Sequence, residues 1–421
     1  MVVLRAVQSA KCEQRNLDLN RQVTAVVRGA SALLLAALVS LPSSAAEELT
    51  VKLPEWINNV EIGGMLKMSA VTSSQSAGAN KSADELLIAA QVPRDDSEGE
   101  SNQLRMTARE TRFWLKGHDD TTRFHIELDF SGYTPGSLEV ANGSAGLRLR
   151  HAYTETETPY GRFLFGQTWS TLQNTKASMH KTLYGELPGE LVKRIVQARW
   201  TGGFNLANVA GNVYVGLESP AFTVQKLDGT LVQPDDDRVP DLALRAELNP
   251  AWGNISLAAV ARQLRCDMPG ECEDLLSAQG VILSGAWRMS AKDELHFQYA
   301  KGEGLGRYMG GNLYPEAVMH DDASLTLVDS ENAAFSYQHR WSPSLHTAII
   351  YNLSEAKELD TVVGVNGQGA QTELNSLSAN IMWWPQQRWR LSAEWLLADS
   401  DWTDGNPGGL ERWVFSSRYD F

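Results

Sequence analysis

Residues 124–130 read FHIELDF: Phe124, Ile126, Leu128 and Phe130 alternate with His125, Glu127 and Asp129, so one face of the stretch is apolar and the other charged. A period of two belongs to a strand, whose successive side chains point to opposite faces. The pattern recurs along the chain. Leu147, Leu149 and Tyr153 alternate with Arg148, Arg150 and Ala152; Leu242, Leu244, Ala246 and Leu248 with Arg245 and Glu247; Leu391, Ala393, Trp395 and Leu397 with Arg390, Ser392 and Glu394. In a soluble sandwich such an apolar face buries against a second sheet. In a membrane barrel it faces lipid while the charged face lines water.

The connections separate these two readings. Short turns are expected near His118–Thr122, Glu157–Gly161, Gly202–Phe204, Asn249–Gly253, Ser290–Asp293, Ser342–Ser344 and Pro385–Gln387. Long links fall between them, at roughly 73–102, 133–145, 169–193, 218–239, 266–278, 302–329, 354–372 and 398–410. Strict alternation of short and long connections is the habit of outer-membrane barrels, with turns in the periplasm and long loops outside. The expectation is an all-β transmembrane antiparallel barrel of about sixteen strands over residues 60–421, a size that leaves an aqueous channel. The last strand, Glu411–Phe421 (ERWVFSSRYDF), ends on an aromatic residue, the kind of C-terminal signal that barrel assembly machinery reads. Trp341, Trp383, Trp384 and Trp389 lie near strand ends, where an interfacial aromatic girdle belongs.

Ahead of the barrel, Ala30–Leu41 (ASALLLAALVSL) is a short apolar run preceded by Lys11, Arg15, Arg21 and Arg28 and followed by Ser44-Ala45-Ala46. This reads as a secretory signal over residues 1–46, too short in its apolar core to span a bilayer as a helix. Residues 47–59 form a polar lead-in without heptads. Export, with the barrel, places the chain in the outer membrane of a Gram-negative cell.

The formal charge of −14 excludes a general nucleic-acid binder, and residues 1–46 carry five Lys or Arg against two Asp or Glu, so the remainder stands near −17. The acids cluster at Asp95–Glu100, Asp235–Asp237 and Asp321–Asp322, as solvated loops or as divalent-ion bridges to lipopolysaccharide. Cys266 and Cys272, with Pro269 and Gly270 between them, read as a disulfide pinning a loop in an exported protein. Their spacing is not that of a metal site. No metal, no cofactor and no enzymatic motif is expected: there is no G-x-S-x-G elbow, H-E-x-x-H or P-loop.

The informative chemistry is the arginines on faces that should point inward. Arg148 and Arg150 are two apart on one strand, so they share a face about 7 Å apart. Arg105, Arg109, Arg199 and Arg245 have the same polar parity. Arginine is costly on the lipid face at mid-depth, which favours the lumen. There, planar guanidinium forks match carboxylates. Alternatively they pair with Glu127, Asp129 and Glu247 and only stiffen the wall. The link Trp169–Lys193, carrying Lys176, His180 and Lys181, is a candidate constriction loop.

The segments Arg112–Leu115 (RFWL), Ile126–Gly132 (IELDFSG), Arg148–Tyr153 (RLRHAY) and Leu164–Leu172 (LFGQTWSTL) resemble the DcaP-like family of outer-membrane porins. The resemblance implies a trimeric sixteen-stranded porin taking up small anionic solutes, dicarboxylates and aromatic acids among them. It also implies Arg148 and Arg150 as lumen residues near Gln167, Trp169 and Ser170. Without a coiled-coil lead-in, a trimer would be held by barrel walls alone. The leading expectation is passive uptake of small carboxylates past arginines; the alternatives are a weakly selective diffusion pore and, less so, a secreted β-protein binding polysaccharide.

Overall fold

The structure, a computed structural model, describes residues 59–77, 87–95, 101–132, 146–182, 185, 187–234, 237–268, 272–363 and 369–421. The expected signal, the lead-in up to residue 58 and most of the acidic runs at 95–100 and 235–237 lie outside these residues.

One antiparallel sheet of sixteen strands closes on itself. The strands are β1 (Asn59–Gln75), β2 (Ser101–Thr107 and, after a break, Arg112–His118), β3 (Thr122–Gly132), β4 (Gly146–Thr158), β5 (Gly161–Trp169), β6 (Arg194–Leu206), β7 (Val209–Glu218) and β8 (Asp241–Leu248). They continue as β9 (Gly253–Met268), β10 (Cys272–Arg288), β11 (Asp293–Glu303), β12 (Asp329–Ser342), β13 (Leu345–Ala356), β14 (Gln371–Gln386), β15 (Trp389–Trp402) and β16 (Gly408–Asp420). Closure is by β1 against β16, in register from Met65↔Asp420 to Ser73↔Arg412. Phe421 completes it: its amide donates to Gly64 O and the Gly64 amide donates back to Phe421 O, both at 3.1 Å. A closed ladder leaves no strand edge, which is the condition for crossing hydrocarbon with strands.

Outward parity is apolar throughout: Ile62, Leu104, Met106, Ile126, Leu257 and Ile349 are among the exposed large side chains. Trp341, Trp383, Trp389 and Tyr419 stand exposed near the short turns, as a girdle requires. Trp384 departs from that expectation. The ladder is irregular between Trp383 and Gln386, and the Trp384 ring meets His346 at 4.8 Å and Arg390 at 6.0 Å, on the inward parity.

The short turns cap themselves. The Asp119 carboxylate accepts from the Thr121 amide at 2.8 Å and from the Thr122 amide, and these bonds hold its pKa below the usual carboxylate value. The turn expected at Gly202–Phe204 is instead at Ala207–Asn208, both with positive φ (49° and 66°). Two successive left-handed residues are what a tight two-residue hairpin demands. Gly202 stays inside β6 because the Trp200 indole lies over it: a Cβ there would sit 2.5 Å from the ring.

The link expected at 266–278 is also different. Alternation runs on through both flanks, so β9 and β10 form one long hairpin, paired from Gly253↔Trp287 to Met268↔Cys272. Cys266 and Cys272 are disulfide-bonded with Cα atoms 5.7 Å apart. Against this hairpin packs a small sheet from two outer loops, Val224–Lys226 and Leu231–Val232 with Ala317–Met319 and Leu325–Leu327. Phe222, Val224, Leu264, both cysteines, Ala317 and Met319 share its core.

Candidate pore constriction

The described residues of the loop between β5 and β6 (170–182, 185 and 187–193) run inside the barrel, bonded to inward-facing side chains of many strands. It starts on β7, where Ser170 Oγ donates to Glu218 Oε2 at 3.0 Å. Farther along, Gln298 of β11 donates to Ala177 O at 3.0 Å, Asn380 of β14 to His180 O at 2.7 Å and Lys67 of β1 to Thr182 O at 3.0 Å. Thr182 Oγ1 donates to Glu394 of β15 at 3.0 Å. Leu172 and Leu191 pack on Ala243, Ala258, Val260 and Ile282 of the wall. A polar loop that finds its hydrogen bonds on the wall can leave water without stranding its backbone.

Between this loop and the strands around it lies a polar cavity, the candidate constriction. Its lining holds eight Lys or Arg side chains and two carboxylates, Glu110 and Glu190. The cations come from β1 (Lys67), β2 (Arg112), β4 (Arg148 and Arg150), β6 (Arg194), β15 (Arg390), β16 (Arg418) and the loop (Lys181). Local geometry concentrates them. Glu127 pairs with His151 and Leu128 with Leu149, so Arg150 is an extra residue in β4 and the strand bulges there. Arg148 and Arg150 then converge on β3: Arg148 grips Asp129 with two bonds, 2.9 and 2.6 Å, and Arg150 bridges Asp129 at 3.0 Å and Glu127.

Other cations are also partnered. Lys67 pairs with Glu110, Lys181 with Glu190, and Arg418 with Asp420 at 2.6 Å. Arg112 only approaches Glu127, at 4.0 Å, and Arg390 has Met382 Sδ at 3.9 Å. Counting Glu127, Asp129 and Asp420 with the two lining acids, eight cations stand against five carboxylates, an excess of three positive charges. Trp169 faces this ring, with the Arg194 guanidinium 4.7 Å and that of Arg150 6.0 Å from its indole.

Of the residues singled out in the sequence, Arg148 and Arg150 line this constriction. Arg199 and Arg245 sit elsewhere on the inner wall, around Tyr214, at 5.9 and 3.9 Å from its ring. Arg245 bonds Glu247 at 3.1 Å, and Lys176 reaches the same carboxylate from the loop at 3.1 Å, tying loop to wall. Arg105 lies on β2 between the exposed Leu104 and Met106, hence on inward parity, and Arg109 lies in the break of β2. Gln167 does not line the lumen. It shares outward parity with exposed Phe165 and pairs with exposed Val196, and its amide donates to Leu149 O at 2.8 Å and Arg150 O at 3.3 Å. It satisfies carbonyls that the bulge frees. Lys67, Arg112, Arg194, Arg390 and Arg418 were not selected from the sequence, although Arg390 shares its parity with Ser392 and Glu394.

A family model described as DcaP outer membrane protein matches residues 62–421. The chain belongs to that family. The crystal structure of the outer membrane channel DcaP of Acinetobacter baumannii is similar at a TM-score of 0.69 and 19% identity, covering 86% of this chain and 97% of that one. The anion-selective porin from Comamonas acidovorans is similar at 0.57 and 10%, covering 86% and 99%. The trimer form of OmpT of Vibrio cholerae is similar at 0.50 and 10%, also covering 86% and 99%. No curated protein matches the sequence. This DcaP-family chain is an outer-membrane channel of the porin fold.

Proposed function

We propose that this channel prefers small anions and passes carboxylates through the constriction between the 170–193 loop and strands β1, β2, β4, β6, β15 and β16. The observation that carries this reading is the lining itself, eight cations against two carboxylates. Long side chains anchored by acids behind them hold their charges in place while the outer faces of the guanidiniums stay open to solute. Arg112 and Arg390, the least firmly paired, are the groups best placed to meet a passing carboxylate. Like the Comamonas acidovorans porin, whose description is anion-selective, the channel would discriminate by sign of charge.

The test is the reversal potential of single channels in planar bilayers under a KCl gradient. Chloride preference is the expected result, weakening as salt rises and screening shortens. Arg390→Gln should reduce that preference, and the flux of a small dicarboxylate into liposomes should fall with it. Potassium preference in the wild type would end this reading. The rival is a weakly selective diffusion pore, favoured by the net charge of −14. Those acids include Asp321 and Asp322 in an exposed outer turn, away from the constriction; a reversal potential near zero that Arg390→Gln leaves unmoved would favour the rival.

We further propose that the channel assembles as a homotrimer, by analogy with the trimer form of the Vibrio cholerae protein. Unheated protein should migrate on a denaturing gel at about three times the mass of the boiled chain. Migration as a folded monomer, supported by light scattering in mild detergent, would refute it.

A further inference from the structure

Beside the constriction lining, three potential metal ligands meet where the loop crosses β11. The ligand atoms of His180, Glu294 and His296 all lie within 4.8 Å of one another. Glu294 and His296 are two apart on β11 and so project from the same face, while His180 descends from the loop onto them, its ring centroid 4.1 Å from that of His296.

The surroundings prepare both imidazoles. His296 Nδ1 is 2.7 Å from the Ser178 carbonyl, which can only accept, so the proton sits on Nδ1. His180 Nδ1 is engaged by Ser336 Oγ at 3.0 Å, on the strand beside β11, where Ser336 pairs with His296. Both rings can then turn bare Nε2 lone pairs inward. His296 Nε2 is buried without a hydrogen bond, although Glu294 Oε1 is only 3.3 Å away. A lone pair and a carboxylate oxygen facing one another repel unless a proton or a metal ion lies between them. Arg340 holds the other carboxylate oxygen, Glu294 Oε2, fixing the orientation of the group. Oriented imidazoles and a hydrogen-bonded carboxylate are the outer-sphere arrangement that metal sites use.

We propose that His180, Glu294 and His296 bind one divalent transition-metal ion, zinc above all, and that the ion pins the constriction loop to the wall. Two imidazole nitrogens and one carboxylate oxygen suit zinc and not calcium or magnesium, which take oxygen ligands. With bonds of about 2.0–2.1 Å, tetrahedral zinc ligands stand about 3.4 Å apart, so small side-chain rotations close the observed spacing. A water molecule fills the fourth position. Because Lys181 follows His180 directly, an ion at this site also fixes a cation of the constriction. Glu294 and His296 are two apart, but His180 lies more than a hundred residues before them, so no spaced motif marks the site.

Equilibrium dialysis of folded, detergent-solubilised channel against micromolar zinc, with metal counted by mass spectrometry, tests this directly. The expected result is one zinc per chain, undisturbed by a hundredfold excess of calcium, with affinity falling at least tenfold in His180→Ala and in His296→Asn. Heat-modifiable gel mobility identifies the folded variants; should either fail to fold, zinc-edge X-ray absorption on the wild type replaces it, with two imidazole ligands expected. In bilayers, zinc should quieten open-channel current noise in the wild type and leave His180→Ala unchanged. Absence of stoichiometric zinc in the wild type, equal binding in both variants, or a zinc spectrum without imidazole would overturn the proposal.

Discussion

Replacing Arg148 and Arg150 together by alanine is expected to abolish most of the chloride preference proposed for the channel. The two guanidiniums supply two of the three excess positive charges at the constriction, and they also cover Glu127 and Asp129. In water a unit charge at about 7 Å contributes about 0.6 kcal/mol, and more beside a protein wall. Losing two such charges disfavours chloride by about 1.2 kcal/mol and favours potassium by about as much, so the chloride-to-potassium permeability ratio falls by more than about tenfold at low salt, since 1.36 kcal/mol is a factor of ten. The double substitution to lysine separates charge from shape. It should keep the reversal potential near that of the wild type while slowing carboxylate flux, because lysine cannot form the planar two-point grip that arginine makes. An unchanged reversal potential in the alanine variant would show that selectivity is set elsewhere in the lumen.

The barrel was legible because its determinants are local. Period-two alternation and turn chemistry are carried by neighbours in sequence, and Phe124–Phe130 shows both faces of the wall at once. What stayed hidden depends on contacts between distant residues. Ile350, Leu374, Leu396 and Val414 are apolar on the face that should be wet, and in the structure they pack with Leu87, Met179, Leu187 and Leu313 from loops folded into the barrel. Those breaks in the pattern were the one sequence sign that loops fill part of the lumen. Gly202 misled in the opposite direction: a glycine taken as a turn makes room for the Trp200 indole.

The site divides in the same manner. Arg148 and Arg150 were found from parity, yet the bulge that brings both onto Asp129 has no mark in the sequence. The alternative considered for them, pairing with wall acids, is also realised in the structure, so the same side chains stiffen the wall and line the passage. Gln167 was misplaced for the same reason, because the bulge creates free carbonyls on the outer face that its amide fills. Arg390, Arg418 and Lys67 needed the third dimension: closure sets β16 beside β1, and the loop defines which part of the wall shares its cavity.

Arg262→Ala is expected to release the outer loops and lower thermal stability more than any other single change in the wall. The Arg262 side chain and its carboxylate partners, Asp241 of β8 and Glu316 of an outer loop, are fully buried, at 3.0 and 3.4 Å. The same guanidinium donates to Ala221 O at 2.6 Å and to Gly304 O, so one side chain joins the wall to both loops of the small outer sheet. Tyr308 donates to Asp241 at 2.8 Å, and the Thr223 and Arg307 amides donate to Glu316 at 2.7 Å. Removing the cation leaves two buried carboxylates without their nearest positive charge, only Arg307 remaining 3.9 Å from Asp241, a loss of about 3–5 kcal/mol. Barrel unfolding is read as a rate, so the measurement is the temperature at which heat-modifiable mobility is lost at a fixed heating time. A fall on the order of 10 °C is expected, taking about 2–4 °C per kcal/mol for a large domain. Limited proteolysis locates the damage: cleavage within 219–240 and 304–328 should precede loss of the barrel, because the severed bonds hold loops to wall and leave the strand ladder intact. Combining Arg262→Met with Asp241→Asn and Glu316→Gln should recover much of the loss, since it removes the stranded charges along with their partner. If Arg262→Ala leaves both melting and loop cleavage unchanged, the apolar core around Val224, Leu264 and the disulfide is sufficient to hold the loops without the ion network.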